Sequence, residues 1–199
     1  MNANFLMKIQ LLYKKSDQLL KSGQFGEGFW PIDPFLGQFL SLLIQQYGLK
    51  NGVEIGAGVG YSTSWLAAGF RETQGKLVCL EYFFPKVEQW ERHMKSLFGK
   101  DYGETVQIVP SDFRKWIRHI GRRKIDFVFL DHRKNEYLES LHLLLPHLKK
   151  GAFICADNVL SHEKACREYL DFVRTDKRFQ SFVVPLEEGL EVTRYLPRK

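Results

Sequence analysis

Apolar residues near the start of the chain recur every three to four positions: Phe5, Leu6, Ile9, Leu12 and Tyr13. That period predicts an amphipathic helix over 4–21. Residues 22–34 carry Gly23, Gly26, Gly28, Pro31 and Pro34 and read as a loop that forms a lid segment. Asp33 is placed to cap a second helix with Pro34 at its first position, and Phe35, Leu36, Phe39, Leu40, Leu43 and Tyr47 give that helix one broad apolar face. Gly48 and Asn51-Gly52 end it. Strand and helix then alternate: strands 52–56, 76–81, 105–109, 124–131 and 151–156 are followed by helices 61–69, 85–98, 111–120, 135–148 and 161–174.

The five strands are nearly continuous apolar runs, the pattern of a parallel sheet covered by helices on both faces. The ending breaks the pattern. Phe179–Pro185 and Leu190–Leu196 flank a Glu187-Glu188-Gly189 turn and read as an antiparallel hairpin. The expected fold class is therefore α/β: a doubly wound, mostly parallel, Rossmann-like seven-stranded sheet finished by a hairpin. One domain is expected over 1–199, with 1–34 as N-terminal helix and lid and 35–199 as core.

Composition changes this picture little. Of 199 residues, 44% are hydrophobic and 26% charged, as in ordinary globular domains. No apolar run approaches the roughly 20 residues that span a bilayer. Met1 to Gln10 lacks a basic segment followed by an apolar core, and Cys79, Cys155 and Cys166 lack metal-ligand spacing, so a reducing cytoplasm is the expected location. The net charge of +6 raises a nucleic-acid reading. Its densest cluster, Arg118, Arg122, Arg123 and Lys124, has no interleaved aromatics for base stacking and reads as a solvated edge, one that would also favour anionic small substrates.

The chemistry concentrates at strand ends, where ligands of open α/β sheets bind. Val53-Glu54-Ile55 runs into Gly56-Ala57-Gly58-Val59-Gly60 and then into a helix carrying Ser62 and Trp65. A glycine-rich strand–turn–helix lets backbone approach a nucleotide-like ligand at a helix N-terminus. The next strand ends in Glu81, 25 positions after Gly56, where a carboxylate can accept from ribose hydroxyls. The fourth strand ends in Asp131-His132-Arg133-Lys134 and the fifth in Asp157-Asn158. Asp131, Asp157 and Asn158 entering one crevice form a hard-oxygen set suited to Mg²⁺. His93, His119, His142 and His147 fall in helices without partners and read as packing or surface residues. Neither a hydrolase elbow nor a Walker loop is present.

In order and spacing, Glu54-x-Gly56-x-Gly58-x-Gly60-Tyr61-Ser62, Glu81, Asp131-His132-x-Lys134 and Ala156-Asp157-Asn158-Val159 resemble the divalent-metal-dependent O-methyltransferases of the catechol and caffeoyl-CoA type. The resemblance runs from about Phe35 to Leu196. It implies a class I methyltransferase using S-adenosylmethionine and a divalent cation, most often Mg²⁺, with Mn²⁺ or Ca²⁺ as alternatives. It further implies a small phenolic, catechol-like acceptor and, for the caffeoyl-CoA type, homodimers. By the same resemblance, Glu54, Gly56, Gly58, Gly60 and Ser62 would hold the methionine part of the cofactor. Glu81 would take the ribose, Asp112 and Phe113 the adenine side, and Asp131 would border the cofactor. Asp131, Asp157 and Asn158 would be metal ligands and Lys134 the general base. Two features depart from the pattern: Arg133 stands where catechol enzymes carry a tryptophan, and Tyr82-Phe83-Phe84 follow Glu81.

Two rival readings share part of these residues. An NAD-dependent oxidoreductase would use the glycine turn and Glu81, but its fingerprint wants Gly or Ala where Tyr61 stands, and it leaves Asp157-Asn158 unexplained. A basic S-adenosylmethionine-binding protein acting on nucleic acid would need an extended positive groove.

Overall fold

The computed structural model describes residues 3–21 and 31–197. The predicted loop and lid at 22–34 therefore lies largely outside the described residues. Seven helices and seven strands are described: α1 (Ala3–Lys21), α2 (Pro34–Gln46), β1 (Asn51–Ile55), α3 (Tyr61–Glu72), β2 (Lys76–Leu80), α4 (Phe84–Phe98), β3 (Val106–Val109), α5 (Phe113–Ile117), β4 (Ile125–Leu130), α6 (Tyr137–Leu144), β5 (Leu148–Ala156), α7 (Glu163–Thr175), β6 (Phe179–Val184) and β7 (Leu190–Tyr195).

One sheet orders them β3-β2-β1-β4-β5-β7-β6. β1 to β5 are mutually parallel, and β7 runs antiparallel to both β5 and β6. Both faces are covered because strand side chains alternate between two cores. Leu77, Cys79, Phe127, Phe129, Phe153 and Cys155 join the core beneath α1 to α4. Val53, Ile55, Leu80, Val128, Leu130 and Ile154 join the core beneath α5 to α7. The strand order reverses between β1 and β4, which opens the crevice of a doubly wound sheet at that point.

Three local expectations are corrected. The helix expected over 111–120 is confined to Phe113–Ile117: Asp112 caps its start, accepting from the Arg114 N–H at 2.8 Å, and Gly121 turns the chain at φ 61°. The helix expected over 135–148 is a 3₁₀ turn (Lys134–Glu136), α6, and a second 3₁₀ turn containing Pro146, whose missing N–H cannot continue α6. β5 starts at Leu148 rather than 151, because Lys149 finds a partner in Asp126 at 2.8 Å and the polar start of the strand is thereby accommodated.

Candidate active site

The parallel register brings the strand ends level. Ile55 pairs with Leu80 on one side and Leu130 on the other, and Leu130 pairs with Ala156. The residues one step further on, Gly56, Glu81, Asp131 and Asp157, thus enter one crevice together. Backbone bonds continue the ladder past the strands: Gly56 N–H to Leu80 O, Asp131 N–H to Ile55 O, Asp157 N–H to Leu130 O. A cavity of about 920 Å³ lies above them.

Gly56 must be glycine. It sits at φ +95°, and a Cβ there would lie 2.2 Å from the Asp131 carbonyl oxygen, so the β1 turn and the β4 loop touch through its bare backbone. Gly60 caps α3 in a left-handed conformation with no side-chain cap, which leaves the first-turn N–H groups of α3 to the cavity end. Glu81 accepts from Gly58 N–H at 3.1 Å and Phe83 N–H at 2.9 Å, so the acid at the β2 end holds the glycine turn as well as lining the cavity.

Glu54 lies elsewhere. Period two puts it on the same sheet face as its register neighbour Cys79, beneath the turn, and it does not line the cavity. Fully buried, it accepts from Ser62 Oγ at 2.6 Å and Thr63 Oγ1 at 2.5 Å, while Trp90 Nε1 donates to Thr63 Oγ1 at 3.0 Å. Burial pushes its carboxyl up to about 7, against the pull of those donors. Among the residues singled out by sequence, Gly56, Gly58, Ser62, Glu81, Asp112, Phe113, Asp131, Lys134, Asp157 and Asn158 line the cavity, whereas Glu54 and Gly60 do not.

Asp131 and Asp157 face one another's charge across the crevice. Burial, then the neighbouring Asp131, drives the Asp157 carboxyl up to about 8, and burial also raises Asp131 although Lys134 opposes it. Lys134 Nζ lies 2.7 Å from Asp131 Oδ1 and 5.4 Å from the centre of the Tyr137 ring. Asp157 Oδ1 is buried and has no hydrogen-bond partner among the described residues. An orphaned buried carboxylate oxygen beside a second carboxylate is a position that a hard cation would satisfy. No group of three or more His, Cys, Asp or Glu that could hold a metal exists among the described residues, so a cation here would need the Asn158 amide oxygen.

Asp112 is committed in part to its own helix: besides the cap it pairs with Arg114 at 3.5 Å, and Arg114 also meets Glu136 and Glu139. Arg133 is exposed and pairs with Glu136 at 3.3 Å. His132 packs at a tilt against Tyr137, ring centres 5.1 Å apart, and meets Ser140 Oγ at 2.9 Å; burial lowers it to about 4, which keeps the ring neutral. Among the described residues, the cavity wall holds seven carboxyl residues (Glu81, Asp112, Asp131, Glu136, Asp157, Glu187, Glu188), of which burial keeps Asp157 protonated below about pH 8, against four Lys or Arg (Lys86, Arg114, Arg133, Lys134). In a chain of net charge +6 the cavity is thus richer in carboxyl than in basic residues, and the Arg118, Arg122, Arg123 and Lys124 edge lies outside it.

Sequence reasoning missed Glu187 and Glu188, which it read as turn residues only. Their signal was the pairing of two adjacent acids in a tight turn at the end of a sheet whose other loops carry Asp131 and Asp157. It also read His93 as packing or surface. His93 Nδ1 meets the Val59 carbonyl at 2.7 Å, and its ring therefore holds the glycine turn from α4.

The sheet order, the antiparallel β7 and a glycine turn at the switch point define a class I methyltransferase fold. The chain belongs to a methyltransferase-domain family, whose model matches residues 53–159. It is 32% identical over 143 residues to a catechol O-methyltransferase of Niastella koreensis, covering 69% of this chain and 62% of that protein. It is 30% identical over 164 residues to catechol O-methyltransferase B of Danio rerio, covering 79% and 59%. The chain thus spans about three-fifths of the length of these curated relatives. Among solved structures, an O-methyltransferase from Bacillus cereus in complex with SAH superposes with a TM-score of 0.78 at 20% identity, over 92% of this chain and 89% of that one. Among the described residues, no helix is long and apolar enough to cross a membrane.

Proposed function

We propose that this chain is an S-adenosylmethionine-dependent O-methyltransferase acting on a small phenolic, catechol-like acceptor with a divalent cation, most simply Mg²⁺. The observation that carries the reading is the grouping of Asp131, Asp157 with its orphaned Oδ1, and Lys134 directly above the Gly56 approach. The acidic cavity favours a cationic ligand such as a sulfonium over a dinucleotide with its anionic diphosphate, which is the reason for preferring this reading to an NAD-dependent oxidoreductase. The basic residues outside the cavity give no reason to invoke nucleic acid. Three buried free cysteines suit a reducing cytoplasm.

In this reading the Gly56–Gly60 turn and the α3 N-terminus bind the amino-acid end of the cofactor, with Ser62 beside it. Glu81 accepts from the ribose, and Asp112 and Phe113 border the base. Asp131, Asp157 and Asn158 would hold the cation. When bound, the cofactor supplies an activated methyl group and the cation supplies Lewis-acid stabilisation of a phenolate and a template for a vicinal diol. Lys134 Nζ, positioned by Asp131, would receive the acceptor's hydroxyl proton as a neutral amine, the form that a neighbouring dication favours.

Methyl transfer to a panel of catechols, with and without a chelator, tests the proposal. Transfer that the chelator abolishes is expected, together with a melting-temperature rise on adding the demethylated cofactor, as any native-state ligand produces. A rise with NAD and none with the demethylated cofactor overturns it.

A further inference from the structure

The turn between β6 and β7 reaches back over the crevice and grips the loop after β5. Val159 N–H donates to Gly189 O at 3.0 Å, and the N–H groups of Leu160 and Ser161 donate to Glu188 O at 2.9 and 3.2 Å. The approach depends on Gly189, at φ +89°, where a Cβ would stand 2.4 Å from Leu160 Cγ. These backbone contacts fix the Glu188 side chain against Asn158. Its Oε2 accepts from Asn158 Nδ2 at 3.0 Å and from Ser161 Oγ at 2.6 Å.

A carboxylate can only accept, and an amide carries its donor and its acceptor on opposite branches. Reversing the Asn158 amide would set Oδ1 against Glu188 and lose a charge-assisted bond. We propose that Glu188 is a positioning residue: it holds Asn158 with Nδ2 turned to the hairpin, so that Oδ1 is the atom left to act with Asp131 and Asp157. This rests on the cation reading given above, in which Asn158 is the third oxygen donor. Asn158 itself sits at φ +59°, a conformation Asn tolerates better than most residues, so the loop backbone presents the amide and Glu188 sets which end faces inward.

The test is Mn²⁺ binding to the full chain, read from the free-ion electron paramagnetic resonance signal, in wild type, Glu188→Ala, Glu188→Gln, Asn158→Asp and the Glu188→Ala/Asn158→Asp double variant. Residues that orient a metal ligand typically contribute 10–100-fold in affinity. Glu188→Ala is expected to weaken Mn²⁺ by about tenfold or more, and Glu188→Gln, whose own amide can turn either way, by an intermediate factor. In the Asn158→Asp background both oxygens are equivalent and nothing needs orienting. There, adding Glu188→Ala should change affinity by less than about threefold. Equal Mn²⁺ affinity in wild type and Glu188→Ala overturns the inference alone, as does an equal loss in both backgrounds, which would mark a merely structural role. Absence of Mn²⁺ binding to wild type overturns the cation reading, and this inference with it. Glu188 is exposed on a hairpin turn, so its variants are expected to fold, and their circular dichroism should match wild type.

Discussion

Glu54 offers the sharpest test of how the glycine turn is supported. It is a fully buried carboxyl whose proton affinity is pushed from an ordinary 4.5 up to about 7 by loss of water. Below pH 4.5 both folded and unfolded chains hold the proton. Between 4.5 and 7 only the folded chain does, so stability falls as pH rises through this window and levels off above it. Integrating that difference from pH 5 to 8 gives about 2–3 kcal/mol. Glu54→Gln keeps the shape, still offers an acceptor to Ser62 or Thr63, and removes the titration. Urea unfolding followed by tryptophan fluorescence, with Trp65 and Trp90 both buried near this site, measures both proteins at pH 5, 6, 7 and 8. The stability of wild type minus that of Glu54→Gln should fall by about 2–3 kcal/mol across the range, whatever its absolute offset. Subtracting the variant cancels the other titrating groups. A difference that stays level within about 0.5 kcal/mol would refute the reasoning, because it would mean Glu54 is solvated or fully compensated.

Gly56→Ala places a methyl group 2.2 Å from the Asp131 carbonyl oxygen at φ +95°, and should lower the melting temperature and abolish the shift produced by the demethylated cofactor, both read by differential scanning fluorimetry. Lys134→Ala should lower turnover on a catechol by about 10²–10⁴-fold with cofactor affinity nearly unchanged, and Lys134→Arg should not restore it, since a guanidinium does not give up its proton in this range. Asp157→Asn should stabilise the ligand-free chain most above pH 8 and least below pH 4, because burial lifts the Asp157 carboxyl to about 8 and its ionised form is the costly one; thermal melts across pH check this. Arg174→Ala should cost about 2–3 kcal/mol in urea unfolding, because it leaves the fully buried Glu191, which Arg174 meets twice, at 2.9 and 2.6 Å, without its counter-charge and, among the described residues, with only Ser181 Oγ, at 2.7 Å, still donating to it.

Much of the fold was legible because strands buried on both faces read as unbroken apolar runs, and the helices between them carry a clear period. The edges were less so. Lys149 and Lys150 disguise the start of β5, because a charged residue in a strand needs a partner, here Asp126, that lies 23 positions away. The cavity was legible where chemistry sits at strand ends, since the register that levels Ile55, Leu80, Leu130 and Ala156 also levels Gly56, Glu81, Asp131 and Asp157. Glu54 was placed with the cofactor by its motif, yet strand alternation aims it beneath the turn. Glu187 and Glu188 were hidden because they reach the crevice through a hairpin, contacting Asp33 and Asn158 across 154 and 30 positions.

The glycine turn is held from outside itself, by one continuous segment of chain. Glu81 takes the Gly58 N–H, Trp90 donates to Thr63, and His93 meets the Val59 carbonyl. The last contact fixes the state of the ring. A carbonyl only accepts and the Gln89 amide nitrogen, 2.6 Å from His93 Nε2, only donates, so His93 is the neutral Nδ1–H tautomer, in keeping with burial lowering its proton affinity. Glycine-rich backbone is otherwise free to take many conformations, and ordering it on ligand binding would cost affinity. Bracing from residues 81–93 moves that ordering into the folding of α4, before any ligand arrives. The hairpin does the same for the Asn158 loop. Transfer of a methyl group needs acceptor oxygen, carbon and sulfur in line, and small displacements are costly. The glycine turn and the Asn158 loop are each tied to a residue of another segment, Glu81 and Glu188, so their geometry is set by the packing of those segments rather than by either loop alone.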